Sequence, residues 1–172
     1  MNSKVGAGVA VTVLMLMLAV TVQADEFSGS WKGTLTGADF SAAEVQIDFS
    51  PQGFPLYSYT NNKGVARHAE LSHVGQRVEY VPAGGGVQRL FVKTLEKRED
   101  RLSVGVQFSF ERASQGYLQQ TYEIAFFEYA LVPEGLKMRV TTQSRSHFGD
   151  KDTIVGGNPN VAVVEGILQK VQ

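Results

Sequence analysis

The chain has 172 residues, 43% of them hydrophobic and 19% charged, which excludes a disordered or low-complexity protein. With 16 Lys and Arg against 17 Asp and Glu there is no surplus of positive charge to hold phosphates, so no nucleic-acid partner is expected. Cysteine is absent, which removes disulfides, thiolate metal sites and thiol nucleophiles together.

Residues 1–24 have the three parts of a secretory signal. Lys4 supplies the positive start, residues 9–22 form an almost unbroken apolar run, and Val22-Gln23-Ala24 sets compact side chains ahead of Asp25-Glu26. An uncleaved anchor is the competing reading, because residues 5–22 reach the lower edge of a membrane span. Cleavage after Ala24 is the expectation. It gives a mature chain with no integral membrane span, residues 25–172 forming a single domain of about 148 residues. Losing Lys4 leaves 15 basic against 17 acidic side chains. Export without cysteine fits a bacterial periplasmic or secreted protein.

Along the mature chain apolar residues recur at every second position, the period of a strand with one dry face. Strands are expected at residues 30–36, 43–49, 55–60, 65–72, 77–81 and 87–95. Pro51-Gln52-Gly53, Asn61-Asn62-Lys63-Gly64, Val74-Gly75-Gln76 and Ala83-Gly84-Gly85-Gly86 separate them as turns. Residues 88–100 also suit a short helix by composition, but Glu99-Asp100-Arg101 reads as a hairpin tip and the strand reading is preferred. Leu102, Val104, Val106, Phe108 and Phe110 then alternate strictly with polar or small residues. In the next strand, residues 118–132, the apolar parity switches at Phe126-Phe127, as a β-bulge requires. Pro133-Glu134-Gly135 turns the chain into a strand over 136–145, so residues 101–146 read as a three-strand meander with residues 113–116 as its first loop. Residues 161–171 make the last strand.

About eight to ten short strands joined by local turns predict an all-β fold. The expected form is an antiparallel up-and-down β-barrel whose last strand pairs with its first; a two-sheet β-sandwich is the alternative. Gly29-Ser30-Trp31 on the first strand resembles the opening motif of lipocalins and the wider calycin group. That resemblance implies a lipocalin-like barrel in which Gly29 and Trp31 are structural and Trp31 plugs the closed end. It also implies a basic side chain from the last strand over the ring, for which Lys170 is the positional match.

No catalytic constellation, metal site or cofactor motif is found. His68 and His73 are five apart, an odd separation that sends them to opposite faces of a strand and argues against a shared metal. Gly84-Gly85-Gly86 lacks the following helix that a phosphate cradle needs. The segment 146–152 gathers His147, Asp150 and Asp152 in what reads as a polar loop at the barrel mouth, where function often sits. Glu123 and Glu128, five apart on one strand, face opposite ways if the strand is regular, so that one points inward among aromatic residues such as Tyr122 and Phe126, whereas the expected bulge would turn both outward. Arg139 on the next strand is the expected partner of the buried one. Glu123, Glu128, Arg139, Tyr122, Phe126 and His147 are therefore the candidate ligand-binding residues.

Three functions fit. The first is an exported protein binding a small hydrophobic, apolar or amphipathic ligand inside the barrel. The second is a side-chain-filled barrel acting on an envelope protein through its surface loops. An enzyme of isomerase type is third, because no paired catalytic groups stand at an informative spacing.

Overall fold

The computed structural model describes residues 24–38, 40–114, 117–149, 154–156 and 160–171. Among them are eleven strands and no helix: β1 (Gly29–Gly37), β2 (Phe40–Phe49), β3 (Leu56–Thr60), β4 (Ala66–Glu70), β5 (Arg77–Tyr80), β6 (Val87–Lys97), β7 (Arg101–Ser114), β8 (Tyr117–Val132), β9 (Gly135–Gly149), β10 (Ile154–Gly156) and β11 (Asn160–Lys170). Every strand expected from the alternation is present, and β6 runs through the segment that also suited a helix. β10 is the exception, too short at three residues to carry a period. The expected signal, residues 1–24, lies outside the described residues except for Ala24.

All pairings are antiparallel, and the large sheet has the order β2-β1-β11-β9-β8-β7-β6-β5, with β10 against β9. This is the up-and-down order, with the last strand returning to the first: Trp31 stands opposite Lys170 and Gly33 opposite Leu168. The closed barrel is not formed. The sheet ends at β2 on one side and β5 on the other, and β3 and β4 make a separate two-stranded sheet. That hairpin is attached to β2 by a bridge between Phe49 and Pro55, and to the end of β5 by the Asn62 amide donating to the Val81 carbonyl at 2.7 Å. The physical reason is local. Pro51 and Pro55 have no N–H to extend a ladder, and the strands here are only four or five residues long. A large sheet covered by a small one is compatible with the two-sheet alternative. Among the described residues no helix is long and apolar enough to cross a membrane.

The core lies on the inner face of the large sheet, under the hairpin. Leu90, Val92, Leu102, Val104, Val106, Ala125, Leu136, Met138, Val140 and Leu168 are buried there with Phe27, Trp31, Leu35, Phe49 and Tyr129. Tyr57, Tyr59 and Ala69 of the hairpin pack against them.

The expected bulge in β8 is absent. Its register with β7 and with β9 is unbroken through Phe126-Phe127, and the bulges sit instead between β1 and β2 near Leu35 and between β6 and β7 near Val92. The apolar parity switches because both faces of β8 carry apolar residues. Ala125, Phe127 and Tyr129 face inward, while Tyr122, Ile124 and Phe126 face outward and stay 42–47% exposed. Phe126 has a use there: its ring lies over Gly105, directly opposite on β7, where a Cβ would come within 3.0 Å of it.

Candidate functional site

Directly opposed residues of an antiparallel pair share a face, so the registers fix what each strand contributes to the interior. At the end of the sheet holding Trp31 the contributions are large and apolar. Trp31 donates its indole N–H to the Phe27 carbonyl at 2.8 Å. The Lys170 ammonium sits 5.3 Å from the centre of its ring. Gly29, just before it, adopts φ 98° and leaves room for the Lys170 stem. Lys97 closes this end: its ammonium pairs with the Asp25 carboxylate, donates to the Gln52 carbonyl at 2.9 Å and lies 5.2 Å from the centre of the Phe54 ring. A Cβ on Gly53, where φ is 73°, would run into that same carboxylate.

Toward the opposite end the same strands change character. On β7 the inner row passes from Leu102, Val104 and Val106 to the half-buried Phe108 and Phe110. On β8 it passes from Tyr129 and Ala125 to Glu123 and Thr121, and on β9 from Leu136, Met138 and Val140 to Thr142, Ser144 and Ser146. Glu123 stands opposite Phe108 on one side and Ser144 on the other. Thr121 and Ser146, also opposed, hydrogen-bond at 3.2 Å.

Beside them the hairpin supplies aromatic rings. Tyr59 stacks on Tyr80 with centroids 4.5 Å apart, and Tyr57 lies 5.9 Å from Phe108. The Tyr80 hydroxyl donates to the Gln88 side-chain oxygen at 2.9 Å, which leaves Tyr57 as donor in the 3.1 Å contact between the two hydroxyls. Burial, then that hydrogen bond, push the Tyr57 phenol well above its ordinary range, so it stays protonated as a donor. Next to the tyrosine cluster, which contacts it through Gln88 and Phe108, is an open cavity of about 220 Å³ lined by Gln88, Phe108, Ser109, Phe110, Thr121 and Glu123. Glu123 is half-buried, and desolvation raises its pKa above the ordinary carboxylate value. Among the described residues it has no ion-pair partner.

Of the six residues singled out from sequence, Glu123 alone is on this inner face. Glu128 and Arg139 are opposed on the outer face, 4.0 Å apart and more than half exposed, so Arg139 attends the outward carboxylate and not the inward one. They line a shallow outer groove of about 400 Å³. Most of its charges pair locally, Arg98 with Glu96 and Arg101 with Asp100. Tyr122 and Phe126 face outward as well. His147 is on β9 rather than in a loop, opposite Gln120, with its ring edge-on to Tyr122 at 6.3 Å. Asp150 and Asp152 lie outside the described residues, as do Gln115 and Gly116 of the expected first loop.

His68 and His73 are both exposed, and His68 bonds the Ser58 hydroxyl at 2.8 Å. No three His, Asp or Glu among the described residues are grouped to hold a metal ion. Sequence reasoning missed Tyr57, Tyr59, Tyr80, Gln88 and Thr121. The signal that could have found the first two is the Tyr57-Ser58-Tyr59 alternation, which puts two rings on one face of a strand.

In comparisons with protein-family models, with curated proteins and with solved structures, nothing matches the chain.

Proposed function

We propose that the protein is exported and binds a small apolar or amphipathic molecule against the inner face of its curved sheet, at the Glu123 end. One observation carries this reading: an interior built of large aliphatic side chains at one end gives way to an open cavity with aromatic walls and a carboxylate at the other. Apolar walls with a few convergent polar groups are the usual make-up of a ligand site. A desolvated carboxylate without a partner costs stability, and a fold keeps such a group where a ligand can use it. The lipocalin-like reading of Gly29-Ser30-Trp31 agrees with this division into a plugged end and a receptive one.

The test is native mass spectrometry of gently purified protein together with Nile red titration. The expected results are a retained small molecule or Nile red emission displaced by amphiphiles; neither retention nor dye binding would overturn the reading. For export, intact-mass analysis of periplasmic material should find a chain beginning at Asp25, and finding residues 1–24 attached would contradict it.

A second reading rests on the outer face. Ile124 of β8 and Val161 of β11 lie on one cross-strand row through Gln143, and Phe126 and Val163 on the next through Thr141, all four apolar side chains exposed. An interaction protein docking an envelope partner would use such a surface. Pull-down from envelope extract with the wild type and an Ile124→Ser, Val161→Ser variant tests it. Identical partner lists would remove the reading.

A further inference from the structure

The cavity at the Glu123 end has a chemical bias that its size and apolar walls alone do not give, a bias that matters only if the interior binds a ligand as proposed. Among the described residues Glu123 is the one charged group in its lining, and it has no ion-pair partner. The Gln88 oxygen takes the Tyr80 hydroxyl, and the Thr121 and Ser146 hydroxyls take each other. Glu123 has no such contact among the described residues. Opposite it in the two flanking strands are a phenyl ring, Phe108, and a short hydroxyl, Ser144.

Cations are abundant on this sheet but are turned away from the cavity. Arg77 and Arg89 pair with Glu79, Arg139 faces Glu128 and Arg145 stands opposite Tyr122, all on the outer face. Among the described residues, those that share the inner face at this end stand at its margin. Arg112 is opposite Gln119 near the tip of the β7–β8 hairpin, and Arg67 is opposite Tyr59 on β4. Both are exposed, and neither pairs with Glu123.

We propose that the polar end of the ligand is an organic cation, a primary or quaternary ammonium on an apolar body, held by the Glu123 carboxylate against the Phe108 and Phe110 rings. Directly opposed side chains of an antiparallel pair have Cβ atoms about 5 Å apart. An ammonium touching Glu123 therefore falls within the roughly 6 Å over which a cation is attracted to a ring face. The cation supplies the missing partner of a desolvated carboxylate. A fatty acid or other anionic amphiphile would meet that half-buried carboxylate with like charge, and is disfavoured. A neutral amphiphile such as an alcohol gains the apolar walls and a single hydrogen bond to the carboxylate, without the charge attraction or the ring contact.

The experiment is calorimetric titration of the purified protein at pH 7.5 with octyltrimethylammonium, octanoate and octanol, each below its micelle concentration. The ammonium is expected to bind about tenfold or more tightly than octanol, and octanoate more weakly than either. Glu123→Gln should bring the ammonium to within about threefold of octanol, the ammonium losing far more affinity than octanol does. Phe108→Leu, which keeps the apolar volume and removes the ring face, should weaken the ammonium alone. Octanol or octanoate binding as tightly as the ammonium, or an ammonium affinity indifferent to Glu123→Gln, overturns the cation assignment and leaves the cavity reading standing. Failure of all three probes to bind overturns both.

Discussion

The two ends of the sheet interior are built by the same strands with the same two-residue period, yet only one of them is a packed core. At the Trp31 end the inner rows of β7, β8, β9 and β11 carry Leu102, Tyr129, Leu136 and Leu168, all essentially without solvent exposure. At the Glu123 end the same rows carry Phe110, Thr121, Ser146 and Asn160, none of them buried. Alternation alone says which face turns inward. How well that face is filled depends on which side chains meet there: β8 and β9 pass from Tyr129 and Leu136 to Thr121 and Ser146, and the large Phe108 and Phe110 rings of β7 beside them stay half-buried. The lesson concerns curved sheets generally: one hydrophobic period can build a stabilising end and a receptive end in one continuous structure.

Substitutions should divide along this line. The largest effect is expected where packing is tightest: Leu136→Ala or Leu168→Ala should lower stability by about 2–5 kcal/mol in urea unfolding, through lost burial and the cavity left behind. Ser144→Ala, on the same face at the other end, should stay within about 0.5 kcal/mol. Equal costs for Leu136→Ala and Ser144→Ala would erase the distinction. Gly53→Ala comes next, at about 1–3 kcal/mol, because it forces a Cβ into a left-handed conformation and into the Asp25 carboxylate that anchors Lys97. Phe126→Ala should cost about 1 kcal/mol by uncovering Gly105, although the residue is 47% exposed, and a urea midpoint unchanged from wild type would remove that role.

Glu123→Gln is the substitution whose sign separates the two ends. The carboxyl pKa is raised in the folded protein, so the native state holds its proton more tightly than the unfolded chain does. The ionised group then destabilises the fold, and the penalty develops as pH rises through the ordinary carboxylate range toward the raised value. Glu123→Gln should therefore raise Tm at pH 7.5, with the difference vanishing below about pH 4, where the carboxyl is protonated in both states. A lower Tm for the variant at pH 7.5 would mean that Glu123 is a structural group and not a receptive one. The smallest effect belongs to the outer face: Glu128→Gln should change stability by less than about 0.5 kcal/mol, since its partner Arg139 is 4.0 Å away and both are solvated.

Much of this fold is legible in the residues themselves. The strict alternation of 102–110 and the turn formers at 51–53, 61–64 and 133–135 mark strands that the structure has. The return of the last strand to the first comes from the same local meander logic, and Trp31 and Lys170 stand opposed as a result. Closure is not legible in the same way. Whether β2 reaches β5 depends on how prolines and short strands interrupt a ladder in three dimensions, which period and turn chemistry do not encode.

β8 shows the same limit on a smaller scale. Phe126-Phe127 looks like a bulge because both faces are apolar, and the cause, a ring covering Gly105, is on the neighbouring strand. For the candidate site, the odd spacing of Glu123 and Glu128 gives opposite faces only because the bulge expected between them is absent. Leu136, Met138 and Val140 alternate with Arg139 and already place it on the outer face, but only the register shows that Glu128 is the carboxylate opposite it. Tyr80 and Gln88 are opposed across the β5–β6 hairpin, but Tyr57 reaches Tyr80 from the separate small sheet, and no short-range pattern announces that contact.

A chain without cysteine offers a background-free measurement of the difference between the ends. Ser144→Cys and Val140→Cys place a thiol on the same strand and the same inner face, four residues apart, one beside Glu123 and the other in the packed core. Maleimide labelling of the folded proteins should modify the variant at 144 at nearly the rate of the unfolded chain, slowed by a bound amphiphile, while the variant at 140 stays protected until unfolding. Equal protection at both positions would contradict an interior that is sealed at one end and open to a ligand at the other.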